Sequence, residues 1–171
     1  MYKLKSLFLL AFVFACASKP EIKEAKNASE GAALTGISEA DFANHPSFAW
    51  PTKYPQIEAY FGWRKKRMHD GLDLKAPRGT RIYAAADGEV IDAGARIRGY
   101  GKTILLDHGN GWSTLYAHLS KIKTLKGRHV RKGELIGLSG RTGRATGPHL
   151  HFEIRKASDP LDPLMFLPPI E

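Results

Sequence analysis

The sequence predicts an all-β domain, mainly antiparallel sheet with an open groove, behind a disordered N-terminal linker. Three observations carry this prediction. Residues 149–154 alternate strictly, with His149, His151 and Glu153 on one side and Leu150, Phe152 and Ile154 on the other, which is the period of a half-buried strand. Turn signals at Ala86-Asp87-Gly88 and His108-Gly109-Asn110-Gly111 separate further short runs of strand-forming residues. Beyond the N-terminal apolar run, almost no part of the 171 residues shows a helical period.

The chain divides into residues 1–15, 16–46 and 47–171. Lys3 and Lys5 precede an apolar run from Leu7 to Ala15 that is too short to span a bilayer, so residues 1–15 are expected to be an export signal. Cys16 is the only cysteine, so no intramolecular disulfide can form. It follows Val13-Phe14-Ala15 as the acylated cysteine follows the lipobox of bacterial lipoproteins, and acyl chains on it would anchor the protein to a membrane. An ordinary export signal with an incidental cysteine is the alternative. Residues 17–44 are rich in Ala, Glu, Lys, Ser and Gly, a composition that buries too little surface to order itself. They are expected to form a flexible linker with a typical span of roughly 30 Å. A short helix over 18–26 is compatible with the composition but has nothing evident to pack on.

In the folded segment, residues 48–51 open the domain as a short strand and 57–61 form a second. Arg64-Lys65-Lys66-Arg67 makes a solvated basic turn. Residues 79–84 and 88–93 are expected to pair as a hairpin through Ala86-Asp87-Gly88. A glycine-bounded loop over 96–101 leads to a strand over 102–107, and the His108 turn leads to another over 112–117. In that strand Trp112, Thr114, Tyr116 and His118 take one face and Leu115 and Ala117 the other, which leaves His118 at the strand end. Residues 130–136 and 138–139 add short strands, 140–147 form a long glycine-threaded loop, and the proline-punctuated stretch 159–168 stays out of the sheet interior.

The imidazoles of His149 and His151 leave one strand face with alpha carbons about 6.6 Å apart. One could hold a metal ion while the other hangs over its open side, although an isolated pair is equally compatible with a surface accident or a hydrogen-bonded pair. Upstream, His69 and Asp73 lie four apart with Gly71 between them. A helix would put them on one face, but a central glycine costs about 1 kcal/mol there and no cap precedes it. A fully extended strand would separate them by about 13 Å. A bend at Gly71, where glycine tolerates unusual dihedrals or a bulge, brings them together. His69, Asp73 and His151 then offer N, O and N donors that suit zinc and leave a fourth position for water, as at a catalytic site. No cysteine is near enough in the pattern to close a structural site. The starting residues of HExxH, GxSxG and P-loop chemistry are absent from the sequence.

His-x-x-x-Asp followed far downstream by His-x-His resembles the lysostaphin-type (LytM-domain) zinc metalloendopeptidases. Supporting motifs are Phe61-Gly62-Trp63-Arg64, Gly79-Thr80, Ala84-Ala85-Ala86-Asp87-Gly88, Leu115-Tyr116-Ala117-His118-Leu119-Ser120, Val130-Arg131-Lys132-Gly133, Ile136-Gly137, Thr142-Gly143 and Thr146-Gly147-Pro148-His149-Leu150-His151-Phe152-Glu153. The likeness runs over residues 48–167. It implies a lysostaphin/LytM-like fold of duplicated-hybrid-motif type, with Zn2+ held by His69, Asp73 and His151. It further implies that His118 and His149 orient water and move its proton, that Tyr60 assists the oxyanion, and that the substrate is the peptide crosslinks of bacterial peptidoglycan. His45, His108 and His129 are left as structural or solvent-exposed.

Two rival readings remain. Some relatives have lost zinc ligands and activate murein amidases, and a wall-binding carbohydrate module is the other alternative. Formal net charge is +9, from 26 Lys and Arg against 17 Asp and Glu. Removing residues 1–15 takes away Lys3 and Lys5 and leaves +7, 24 basic against 17 acidic. This balance suits solubility or attraction to an anionic polymer. Nucleic acid is disfavoured by export and by the lack of a binding motif. The resulting expectation is a monomer in the periplasm, lipid-anchored to the outer rather than the inner membrane, with residues 44–45 not folding back onto the metal.

Overall fold

The computed structural model describes residues 37–64 and 67–170. The expected export signal, Cys16, the linker up to residue 36 with its candidate helix over 18–26, and Lys65 and Lys66 of the basic turn lie outside the described residues.

The elements are a five-residue helix α1 (Glu39–Ala43), then β1 (Ile57–Ala59), β2 (Gly62–Arg64), β3 (Arg67–His69), β4 (Leu72–Lys75), β5 (Arg81–Tyr83) and β6 (Gly88–Gly94). These are followed by β7 (Lys102–Gly109), β8 (Trp112–Ile122), β9 (His129–Val130), β10 (Leu135–Ser139), β11 (His149–Lys156), β12 (Asp159–Leu161) and a 3-10 turn (Pro163–Met165). The all-β expectation holds. One sheet runs β1-β4-β11-β8-β7-β6-β9, with β12 beside β11 and β10 joining β8 to β5, while β2 and β3 form a separate hairpin.

Strands β8 and β11 form the centre because each is apolar on its inner side. Leu150, Phe152 and Ile154 are fully buried with Leu72, Leu74 and Tyr116, and the Phe152 and Tyr116 rings lie 5.4 Å apart. Burying a side chain the size of Phe152 stabilises the fold by about 1.5–3 kcal/mol. The Tyr116 hydroxyl oxygen accepts from the Ala85 N–H at 2.8 Å and the Thr114 hydroxyl at 2.9 Å, so its burial leaves no unmet polar atom. The β7–β8 connection is a two-residue turn with Asn110 at φ 51° and Gly111 at φ 77°, the left-handed pair that such hairpins require.

Several elements differ from expectation. The 79–93 hairpin does not form: β5 pairs with β10, β6 pairs with β7 and β9, and buried Ala84, Ala85 and Ala86 carry the chain between them. Gly88 serves a close approach instead, since a methyl there would collide with the Asp107 carbonyl oxygen. Residues 48–51 are extended but outside any strand. Ala49 N–H donates to the Ala85 carbonyl at 2.7 Å and Tyr83 N–H to the Pro51 carbonyl at 2.9 Å, while Pro51 has no N–H to extend a ladder. The expected 130–136 strand breaks at Gly133, φ 79°.

The last residues of the expected linker are ordered against the domain. Ser38 and Asp41 form a capping box on α1, Ile37 is buried, Phe42 packs 5.7 Å from Phe166, and Asp41 pairs with Lys156 at 2.5 Å. Composition missed this because two apolar residues in a polar stretch suffice once an aromatic rim is there to receive them. His45 joins that rim, stacked on Phe48 and edge-on to Trp112. Trp112 lies six residues along β8 from His118, roughly 20 Å of strand, so residues 44–45 sit far from the expected metal ligands.

Candidate metal centre

Strands β4 and β11 pair with Asp73 opposite His151 and Leu72 opposite Phe152, which places Asp73 on the histidine face of the sheet. Strand β3 ends at His69 and the chain turns at Asp70-Gly71 into β4. The bend at Gly71 is as expected, but its reason differs. Gly71 does not adopt a positive φ; a methyl there would strike the Phe152 carbonyl oxygen and the Glu153 side chain, so glycine is needed for close packing onto β11. The consequence is a tight triangle of donor atoms. His69 Nε2 lies 3.0 Å from Asp73 Oδ1 and 3.2 Å from His151 Nδ1, and His151 Nδ1 lies 2.9 Å from Asp73 Oδ1. Bonds of 2.0–2.1 Å in a tetrahedron imply edges of about 3.3 Å. The three side chains are therefore spaced to hold one small four-coordinate ion.

Both candidate ligand imidazoles have their second nitrogen engaged. His69 Nδ1 lies 2.7 Å from the Tyr60 carbonyl oxygen and 2.6 Å from the Arg64 guanidinium, and donation to the carbonyl would leave the Nε2 lone pair for an ion. His151 Nε2–H donates to Glu153 Oε1 at 2.8 Å, leaving Nδ1. Glu153 is fully buried and also accepts from the Tyr100 hydroxyl at 2.8 Å and from Arg155 Nε at 2.5 Å. Burial alone would raise the Glu153 carboxyl, but His151 and Arg155 outweigh it and keep the group ionised. Burial likewise opposes charge on His151, yet its bonds to Asp73 and Glu153 push it up to about 9. Asp73 is held well below the usual carboxylate range by His151 and His69 despite its burial. Asp73 is thus an ionised oxygen donor at one corner of the triangle.

His118 and His149 complete the face. Tyr116 pairs with Phe152 and Ala117 with His151, so simple alternation would send His118 inward with Tyr116. The structure corrects this, and it also places His118 inside β8 rather than at its end. A left-handed backbone at His118, φ 59°, swings the ring to the metal side, 4.7 Å between centroids from His149 and 6.0 Å from His151. Such a conformation is costly for a residue with a β-carbon. It is held by His118 N–H to the Tyr100 carbonyl at 2.9 Å and His118 Nδ1–H to the Thr142 carbonyl at 2.8 Å. His149 Nδ1–H donates to the Gly147 carbonyl at 3.0 Å, and its Nε2 lies 3.7 Å from Asp73 Oδ1. Each ring thus ties down Nδ1 and keeps an Nε2 lone pair free. Burial holds His118 below the ordinary imidazole range, helped by any charge on His149 and His151 and only partly countered by the Thr142 carbonyl and Asp73.

The five expected residues line one open groove of about 300 Å³. Tyr60 does not: its side chain is 61% exposed and away from the groove lining, and only its carbonyl takes part, as the acceptor that orients His69. His108 is structural, bonded to the Asp87 carbonyl and the Thr114 hydroxyl. Sequence reasoning left Glu153, Tyr100 and Thr142 without roles. Alternation did put Glu153 on the histidine face, which is a usable signal; Thr142 was marked only as part of the Thr142-Gly143 motif, and Tyr100 comes from a distant loop with no mark of its role.

The sequence pattern described as Peptidase family M23 matches residues 67–163. The chain is 46% identical over 120 residues to the DD-carboxypeptidase/endopeptidase Mpg of Neisseria meningitidis serogroup B, covering 67% of this chain and 27% of that protein. It is 36% identical over 150 residues to the uncharacterized lipoprotein YgeR of Escherichia coli, covering 85% of this chain and 59% of that one. It thus spans about a quarter of the first of these relatives and little more than half of the second. Among solved structures, the catalytic domain of the antimicrobial peptidase lysostaphin from Staphylococcus simulans superposes with a TM-score of 0.58 at 34% identity, covering 63% of this chain and 87% of that chain.

Proposed function

The chain belongs to peptidase family M23, and on that premise we propose that it is a zinc metalloendopeptidase hydrolysing the peptide crosslinks of bacterial peptidoglycan. The observation that carries this is the triangle of His69, Asp73 and His151 donor atoms beside two imidazoles with free Nε2 atoms. Zinc held by those three residues would supply Lewis acidity, bringing the pKa of a water from 15.7 toward about 7 and polarising the scissile carbonyl.

The chain's own residues do the rest. Tyr60 and Glu153 orient the two ligand rings. His118, kept neutral by its burial, takes a proton from the attacking water as the new C–O bond forms. As the peptide C–N bond breaks, that proton passes to the leaving amine, which departs neutral. His149, anchored through Nδ1, is placed to share this transfer, and once its Nε2 has taken up a proton it can donate to the developing oxyanion.

The relative named as a DD-carboxypeptidase/endopeptidase supports a murein peptide as substrate. The apolar start, Cys16 and the relative named as a lipoprotein support an envelope protein lipid-anchored in the periplasm, and we place its anchor in the outer membrane as part of this proposal. Digestion of crosslinked muropeptide dimers, with fragments identified by mass, tests the proposal. The zinc-loaded protein should release monomers and the chelated protein none. A protein that binds no zinc and leaves the dimers intact would point to an amidase activator, and chelator-insensitive retention on murein without cleavage to a binding module.

A further inference from the structure

We propose that Arg98 and Arg144 form a carboxylate-recognising subsite on one wall of the groove, so that the substrate is a peptide with a free carboxylate near the scissile bond rather than a neutral chain. This rests on the peptidase reading above.

The wall is made of two loops, between β6 and β7 and between β10 and β11, that are interlocked. Arg144 N–H donates to the Gly99 carbonyl at 2.8 Å and Lys102 N–H to the Thr142 hydroxyl at 2.9 Å. Gly101 and Gly143 adopt φ 67° and 75° and approach so closely that a methyl on either would collide with the opposite loop's backbone. The same loops grip His118 through the Tyr100 and Thr142 carbonyls. The arginines are thus fixed to the scaffold that positions a proton-handling residue. The Arg144 stem runs over Gly99 within ordinary van der Waals reach of where a side chain there would begin.

Arg96, Arg128 and Arg155 have acidic partners in Asp92, Glu134 and Glu153, whereas Arg78, Arg81, Arg131, Arg141 and the groove-lining Arg67 have no such ion pair among the described residues. Arg98 and Arg144 line the groove and have none among the described residues. On the opposite wall Arg64 is occupied by the Tyr60 carbonyl at 3.0 Å and lies 3.8 Å from Asp73. The acids lining the groove are Asp70 and Asp73, and Asp73 belongs to the donor triangle. A divalent ion there would make the groove more positive still. A planar guanidinium binds a carboxylate through two parallel hydrogen bonds, and pre-positioned loops reduce the ordering that binding requires.

The test is equilibrium binding by calorimetry to the full chain carrying His149→Ala, which prevents turnover, with a crosslinked muropeptide dimer and the same dimer fully amidated at its carboxylates. Amidation should weaken binding at least about tenfold at low salt, less at high salt, and the Arg98→Gln/Arg144→Gln double variant should bind both dimers alike. Equal binding to the parent protein overturns the inference. So does a preference that survives in the double variant but vanishes when the metal is removed, since the carboxylate would then be held by the ion. Cleavage of both dimers by the wild-type protein is measured in parallel. Failure to cleave either would sink the peptidase reading while leaving the binding result to stand.

Discussion

Strands β8 and β11 run through both ends of the molecule, and the two ends follow different rules. At the Trp112 and Lys156 end, the strands keep their alternation and a ring of apolar groups closes over them. Trp112 meets Phe166 at 5.2 Å and Phe48 at 6.0 Å, and the Lys156 ammonium lies 5.1 Å from the Trp112 ring. At the His118 and His149 end, alternation is broken by the left-handed residue, and order comes from hydrogen bonds to loop carbonyls. Because the strands are shared, sheet geometry cannot explain the difference. Apolar packing holds a regular backbone by itself, whereas a site that must converge several polar groups needs local departures from regularity that distant loops stabilise.

Substitutions can break that comparison, beginning with the largest effect. His151→Ala should eliminate bound zinc and reduce hydrolysis to background while the near-ultraviolet signature of Trp112 persists; metal retained on mass-spectrometric analysis would show that the triangle is not the binding site. His118→Ala should leave zinc in place and cut turnover by about 10²–10⁴. In the unsubstituted protein the acid limb of kcat/KM should lie below the ordinary imidazole value of about 6.5. Burial disfavours the charged ring, so the neutral base survives to lower pH and activity falls only as pH drops through its lowered pKa. An acid limb at or above that value would remove His118 from the role of base.

At the packed end the effect should be on stability alone. Trp112→Ala is expected to cost about 3–5 kcal/mol in denaturant unfolding, with the zinc content of the remaining folded protein unchanged. Lost metal affinity in that variant would mean that the two ends are coupled. The smallest effect is expected for Glu153→Gln, which keeps an acceptor for His151 but removes the charge shared with Arg155. Zinc affinity should fall about 10- to 100-fold by competition with a chelator, and an unchanged affinity would reduce Glu153 to a packing role.

Much of this was legible in the chain itself. The alternation over 149–154 marked both the core face and the ligand face of β11, and the spacing of His69, Gly71 and Asp73 required the bend that the structure shows. Other features were hidden. Alternation assigned His118 to the face of Tyr116, because nothing within β8 signals a left-handed residue whose support comes from Thr142, 24 residues away. The turn signal at 86–88 was real, but it marks a buried crossover, since which strand accepts β5 depends on β10, about fifty residues downstream. Composition dismissed residues 37–44, whose docking surface includes Phe166 and Lys156.

The residues by themselves determined the class of fold, the kinds of donor available and the face of each strand on which they stand, because side-chain period and ligand chemistry are local properties. Tertiary structure decided that three donors meet closely enough to hold one ion, that His118 turns toward them, and that Glu153 and the glycine loops hold them there. Those outcomes depend on strand order and on hydrogen bonds between segments tens of residues apart, whose energies appear only once the sheet has brought the segments together.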